Sequence, residues 1–225
     1  MGLKARESKI YVNIISDGSI RVKTSETDPS AVRRDFELKD GTKGTKFERV
    51  YNELSGLITG ISFYDGDFGK TLHVTVTDDE MPVILSMSMS SNYAEDLLKK
   101  LPNVDLLKPV VLKPYSFEDD KKKLRKGISL VQGEKKITNF FYDAEKKTVL
   151  HDFPAIDKDK KYDKDDWKIY FMTTRKFLEK FITDNICPMF LGLTPEAVAK
   201  EFGGKVVDEE FTPEEKKELD NVSFT

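Results

Sequence analysis

Between Leu54 and Gln132 the chain writes three runs of strand character, one helical run, and then two more strands. The first run is long, Val50–Tyr64, and is interrupted by Gly56 and Gly60. Tyr64-Asp-Gly-Asp-Phe-Gly69 turns the chain into Lys70–Thr77, and Val83–Met89 follows. In the second run Leu72, Val74 and Val76 alternate with His73, Thr75 and Thr77; in the third, Val83, Leu85, Met87 and Met89 alternate with Ile84, Ser86 and Ser88. A period of two gives each strand one buried face and one polar face. The small hydroxyl side chains on the polar faces leave room for a flat ligand, and they are equally ordinary residues of a solvated sheet.

The helical run, Ser91–Lys100, has a capping serine in Ser90 or Ser91, an apolar stripe of Tyr93, Leu97, Leu98 and Leu101, and a stop at Pro102. Tyr93 is expected in the core. A fourth strand, Val110–Pro114, and a fifth, Gly127–Gln132, are separated by a charged loop from Tyr115 to Lys126. Three strands, a helix and two strands is the element order of an OB-fold, a five-stranded Greek-key barrel whose exposed sheet face and flanking loops bind oligonucleotides or oligosaccharides. The expected fold is therefore mainly β with peripheral helices: an OB-fold barrel with added N-terminal strands, a hairpin and C-terminal helices.

Around this centre, Lys9–Ser16 and Ser19–Thr24 read as a hairpin turned at Asp17-Gly18. Further turns are marked at Asp40-Gly41 and Lys43-Gly44, and these strands are expected to pack on the barrel. Lys135–Phe141 reads as a second hairpin. Trp167–Asn185 reads as a helix with an aromatic stripe of core or interface type, its N-terminus capped by Asp165 or Asp166, and a shorter helix starts at Thr194-Pro195. Residues 1–204 make one domain, and 205–225 an acidic tail read as disordered.

The net charge of −3 argues at first against a nucleic-acid ligand. From Val206 onward, however, Asp208, Glu209, Glu210, Glu214, Glu215, Glu218 and Asp220 face only Lys216 and Lys217. Seven acids against two lysines puts −5 in the tail and leaves +2 on the body. The single cysteine, Cys187, precludes an internal disulfide and suits a reducing cytoplasm; no apolar run approaches a membrane span.

Catalytic constellations are thin. The two histidines, His73 and His151, lie far from Cys187, and no phosphate loop, dinucleotide fingerprint or nucleophile elbow is present. Asp157-Lys-Asp159 starts like a calcium loop, but Lys161 and Tyr162 occupy ligand and turn positions. No catalytic residue, metal or cofactor is expected; a carboxylate-dependent metal nuclease is the enzymatic alternative.

Binding chemistry is better represented. Proteins that hold single strands combine cations along the phosphate path with aromatic faces for the bases. Tyr115, Phe117, Lys121, Lys122, Lys123, Arg125 and Lys126 supply both, as do Tyr64, Phe68 and Lys70 at the first turn, with His73 on the adjoining polar face. Phe140 and Tyr142 of the second hairpin complete the candidate set. Against this, Glu118, Asp119 and Asp120 offset the lysines, and Tyr115 and Phe117 can instead close the barrel.

Leu57-Ile-Thr-Gly-Ile-Ser-Phe-Tyr-Asp-Gly-Asp-Phe-Gly-Lys70, Leu101-Pro-Asn-Val-Asp-Leu-Leu-Lys-Pro109 and Gly127-Ile-Ser-Leu-Val-Gln132 resemble the barrel segments of bacteriophage single-stranded DNA-binding proteins. The resemblance spans Leu54 to Tyr142. It implies an OB-fold that coats single strands in replication, recombination or repair, acting in the cytoplasm of a host cell. The acidic segment ending near Phe224 is similar to the family's partner-recruiting tail, although Lys216, Lys217 and Val222-Ser223 dilute it and the last residue is Thr225. Single-stranded DNA, replication proteins and a second copy of the chain are the partners this implies; a non-enzymatic protein-interaction module is the alternative.

Overall fold

The computed structural model describes residues 9–37, 41–67, 69–78, 81–157 and 159–192. The N-terminal hairpin forms as expected, with β1 at Ile10–Ile14 and β2 at Ile20–Lys23. Gly18 takes φ +87°, and the Asp17 carboxylate accepts the Ser19 amide at 2.7 Å. A second hairpin, β3 (Val32–Glu37) and β4 (Lys43–Tyr51), follows, so Lys43-Gly44 lies in a strand and not in a turn. Val50 and Tyr51 also belong to β4; the first central strand, β5, begins at Leu54 and runs to Gly66.

The remaining elements are β6 (Gly69–Thr77), β7 (Pro82–Ser88), α1 (Asn92–Lys100), β8 (Val110–Glu118), β9 (Leu124–Gln132), β10 (Lys135–Lys136), β11 (Tyr142–Asp143), β12 (Thr148–Val149) and α2 (Lys164–Asn185). Two expectations change here. Most of the Tyr115–Lys126 loop is strand, with Phe117 opposite Arg125, and only five residues remain as a turn. Asp119 organises that turn by accepting the Lys121 and Lys123 amides at 3.0 and 2.9 Å, which lets a dense charge run pair as a ribbon. The second hairpin is reduced to Lys135–Lys136 on β9, while Tyr142–Asp143 pairs with Thr148–Val149 in a separate two-stranded sheet.

Among the described residues ten strands form one mixed sheet in the order β10-β9-β8-β5-β6-β7-β1-β2-β4-β3. The meander β5-β6-β7 and the return pair β8-β9 beside β5 are present. The ladder is nevertheless open: β7 pairs in parallel with β1, from Ile10 opposite Val83 to Asn13 opposite Ser86. The far edge of β9 carries β10 only at Val131–Gln132, and at Ile128 it is satisfied from α1. Asp96 accepts the Ile128 amide at 2.7 Å and Lys100 donates to the Ile128 carbonyl at 2.6 Å. With those groups paired, β9 needs no further strand at that point.

The two interrupting glycines lie where β5 changes neighbours. Residues 54–56 pair with β8, residues 57–66 with β6, and a bulge separates Ile58 from Gly60. Gly56 has φ +148° and a Cβ there would come within 2.6 Å of the Thr77 carbonyl oxygen. Only glycine permits both the conformation and the approach.

Inside the curved sheet lie Leu72, Val74, Val76, Leu85 and Met87, joined by Tyr93, Leu97 and Leu98 from α1 and by Leu101 in the 3-10 turn that follows it. Full burial contributes about 1.5–3 kcal/mol per large side chain. Ser91 caps α1 by accepting the Ala94 amide at 3.1 Å. On α2 the cap is Asp163, not Asp165 or Asp166: it accepts both their amides, and Asp166 reaches back to the Asp163 amide. The two later acids already lie in the first helical turn, where a side chain has no free amide ahead of it to accept from. Thr174, Leu178 and Ile182 pin α2 to the body. A 3-10 segment, Cys187–Gly192, follows; the expected helix at Thr194-Pro195 and the acidic tail lie outside the described residues.

Candidate nucleic-acid interface

Strand register builds a polar face on the outside of the sheet. Ser62 is opposite His73, His73 opposite Ser86, Ser86 opposite Asn13, and Asn13 opposite Arg21, a single row across five strands. The rows on either side hold Tyr64, Thr71 and Ser88, and Gly60, Thr75, Ile84 and Tyr11. His73 is the hub. Tyr64 leans on it at 4.6 Å between ring centroids, and Tyr11 meets it edge-on at 5.7 Å. Tyr64 is 53% exposed. Burial pushes the His73 imidazole below its usual range, so it is an uncharged flat ring at neutral pH. Burial, and then the neighbouring Tyr64, push the Tyr11 phenol up.

Three turns gather at one end of this face. β1 runs parallel to β7, so its turn at Asp17-Gly18 extends past Ser88, which pairs with Thr71 beside the 66–69 turn. Gly18 in turn lies against β8: a Cβ on it would come within 2.9 Å of the Ser116 nitrogen. That places the end of β8, and the 119–123 turn it leads into, at the same end of the molecule.

The candidate residues take different positions within that frame. Tyr115 and Phe117 are paired at 5.7 Å, tilted by 38°. Tyr115 is half-buried over Gly127, and burial together with Asp96 raises its pKa, whereas Phe117 is exposed. Lys121, Lys122 and Lys123 are exposed. Arg125 is held by Asp119 at 2.8 Å, and Lys126, opposite Ser116, is half-buried on the other face of the ribbon. Lys70 is a strut: its ammonium pairs with Glu179 of α2 at 2.5 Å and with Asp65 at 3.4 Å, and the Glu179 bond raises its pKa.

Phe140 lies in a different cluster. It stacks on His151 at 4.0 Å and contacts Phe141 and Phe181, filling the space between α2 and the segment after β10. Tyr142 is exposed on β11, outside the ten-stranded sheet. Phe68 and the tail residues Asp208, Glu209, Glu210, Glu214, Glu215, Glu218, Asp220 and Phe224 lie outside the described residues.

Tyr11, Asn13 and Arg21 join the face without having been candidates. Ile10, Val12 and Ile14 bracket Tyr11 and Asn13 in a strand alternation, which gave the outward direction; the parallel pairing with β7 that brings Tyr11 to His73 has no local signal. Further along, Glu48 is buried and accepts from Arg34 at 2.8 Å and Arg21 at 3.1 Å, which lowers its pKa. Among the described residues no group of three histidine, cysteine or acidic side chains could hold a metal ion, and no helix is long and apolar enough to cross a membrane. Comparison of the chain with protein-family models, with curated proteins and with solved structures finds no match.

Proposed function

We propose that the protein binds single-stranded DNA with little sequence preference and without catalysis, the strand lying along the outer face of β5, β6, β7 and β1. The observation that carries this reading is Tyr64 resting on His73 and flanked by Tyr11, among serines, threonines and Gly60 that let a base approach closely. Every base offers a π-face, so stacking of this kind tolerates sequence. Lys121–Lys123, at the end where three turns gather, supply cations for phosphates.

The pairings β5-β6-β7, β5-β8 and β8-β9 support reading the centre as an OB-fold in which β1 takes the edge of β7, and α1 with the short β10 takes the edge of β9. In this reading the acidic tail recruits partner proteins of replication. The test is a titration of fluorescein-labelled oligothymidylate followed by anisotropy at low and high salt. Binding that weakens steeply with salt is expected, because counterions released from phosphates must be displaced again. Absence of binding at low salt overturns the proposal.

A further inference from the structure

The first half of α2 carries aromatic side chains that the body leaves uncovered. Trp167 and Phe171 are 37% and 39% exposed, whereas Thr174, Leu178 and Ile182 beyond them are buried. The rings are ordered: Trp167 stacks on Phe171 at 5.8 Å with planes 27° apart, and Tyr162 leans on Trp167 at 4.9 Å. Such an exposed patch marks a binding surface.

Its charge selects the ligand. Six cations and three acids lie between positions 160 and 176. The Arg175 guanidinium sits over the Phe171 ring at 5.9 Å and the Lys160 ammonium over Tyr162 at 5.3 Å. Two of the acids are engaged locally, Asp163 by the helix amides and Asp166 by Lys160 at 2.7 Å. Rings interleaved with cations are the elements of a single-strand binding platform. A two-fold contact with a second copy would set these cations against one another.

The patch is also continuous with the outer sheet face. Arg175 donates to the Ser90 carbonyl at 3.2 Å, Ser90 bonds Ser88, and Ser88 faces Thr71 in the row that holds Tyr64. At 1.5 Å per residue, Trp167 stands about 12 Å beyond Arg175 along the helix. We infer that the Trp167–Phe171 face of α2 is a second stacking platform, which takes the single strand as it leaves the sheet. This rests on the sheet face being a single-strand site.

Trp167 is the one tryptophan of the chain, so its emission reports the platform directly. The full chain is titrated with labelled oligothymidylates of about 8 and about 30 nucleotides, one within and one beyond the roughly 4–16 nucleotides that one OB-type site spans. Anisotropy of the label and tryptophan emission are read together. The longer strand is expected to quench emission by half or more, with the same midpoint as the anisotropy. Phe171→Ala is expected to weaken the longer strand roughly tenfold and leave the shorter unchanged. Binding of the longer strand with unaltered emission overturns the platform and leaves the sheet site standing. Absence of binding at either length overturns both. Emission that follows protein concentration without DNA, with a dimer in sedimentation, assigns the face to a second copy and overturns the inference.

Discussion

Tyr64 and His73 sit on adjacent strands with ring centroids 4.6 Å apart and planes inclined at 45°. The pair is diagonal: His73 is opposite Ser62, and Tyr64 is opposite Thr71. Diagonal neighbours on one sheet face are within reach of long aromatic side chains. The histidine thus supports the tyrosine from below while the tyrosine keeps half its surface in solvent, an arrangement suited to presenting a ring to a ligand.

Replacing Tyr64 by Ala should weaken oligothymidylate binding by about 1–3 kcal/mol, the value of one base–aromatic stack. Stability should change little, because the side chain is mostly outside the core. Tyr64→Phe should keep most of the affinity, since the ring face is retained. Equal affinities for wild type and Tyr64→Ala in the anisotropy titration would remove this ring from the binding surface.

The pH dependence of stability follows from His73. Its folded pKa lies below the ordinary value of about 6.5, because burial penalises the charged form. The unfolded chain therefore takes up the proton first as pH falls. The contribution is complete above about pH 6.5 and declines as pH drops from there toward the folded pKa. Urea midpoints should fall between pH 7.5 and 5.5, and His73→Gln should flatten that decline. An unchanged slope in the variant would place the pH response elsewhere.

Asp96 and Lys100 finish the edge of β9, with the Lys100 ammonium 2.6 Å from both Asp96 and the Ile128 carbonyl. Asp96→Ala removes the acceptor of the Ile128 amide and leaves a buried ammonium short of its partner. A loss of about 2–4 kcal/mol is expected in urea unfolding. Asp96→Asn retains an acceptor and should lose less. If the two variants unfold alike, the amide contact contributes nothing measurable.

The local parts of this fold are written in local sequence. Alternation places Leu72, Val74 and Val76 inward, and Ser91 with the Tyr93–Leu97–Leu101 stripe defines α1. What sequence spacing does not carry is choice of neighbour. The open edge of β7 is taken by β1, more than seventy residues earlier in the chain, through backbone bonds that require no particular side chain. At Ile128 the edge of β9 is closed by two side chains of a helix that read as ordinary surface charges. The candidate site divides in the same way. Tyr64 and His73 are legible because both lie on a clear alternation, whereas Tyr11 depends on the parallel pairing. Phe140 has the composition of a stacking residue, but its place is fixed by α2, which packs over it with Phe181.

The lysine turn tests the electrostatic half of the proposal. Lys121, Lys122 and Lys123 project from a turn whose shape is set by Asp119 accepting backbone amides, so their side chains can be changed without loss of the turn. Exchanging all three for Glu should leave the thermal midpoint near that of wild type. Each phosphate contact contributes about 0.7 to the slope of log affinity against log salt on a single strand, so three lost contacts should flatten it by about 2. Affinity at low salt should fall as well, and most of the difference should vanish at high salt, where screening removes the lysines' advantage. A wild-type salt slope in the triple variant would show that the phosphate path avoids this turn and that the strand is held by the sheet face and by other cations.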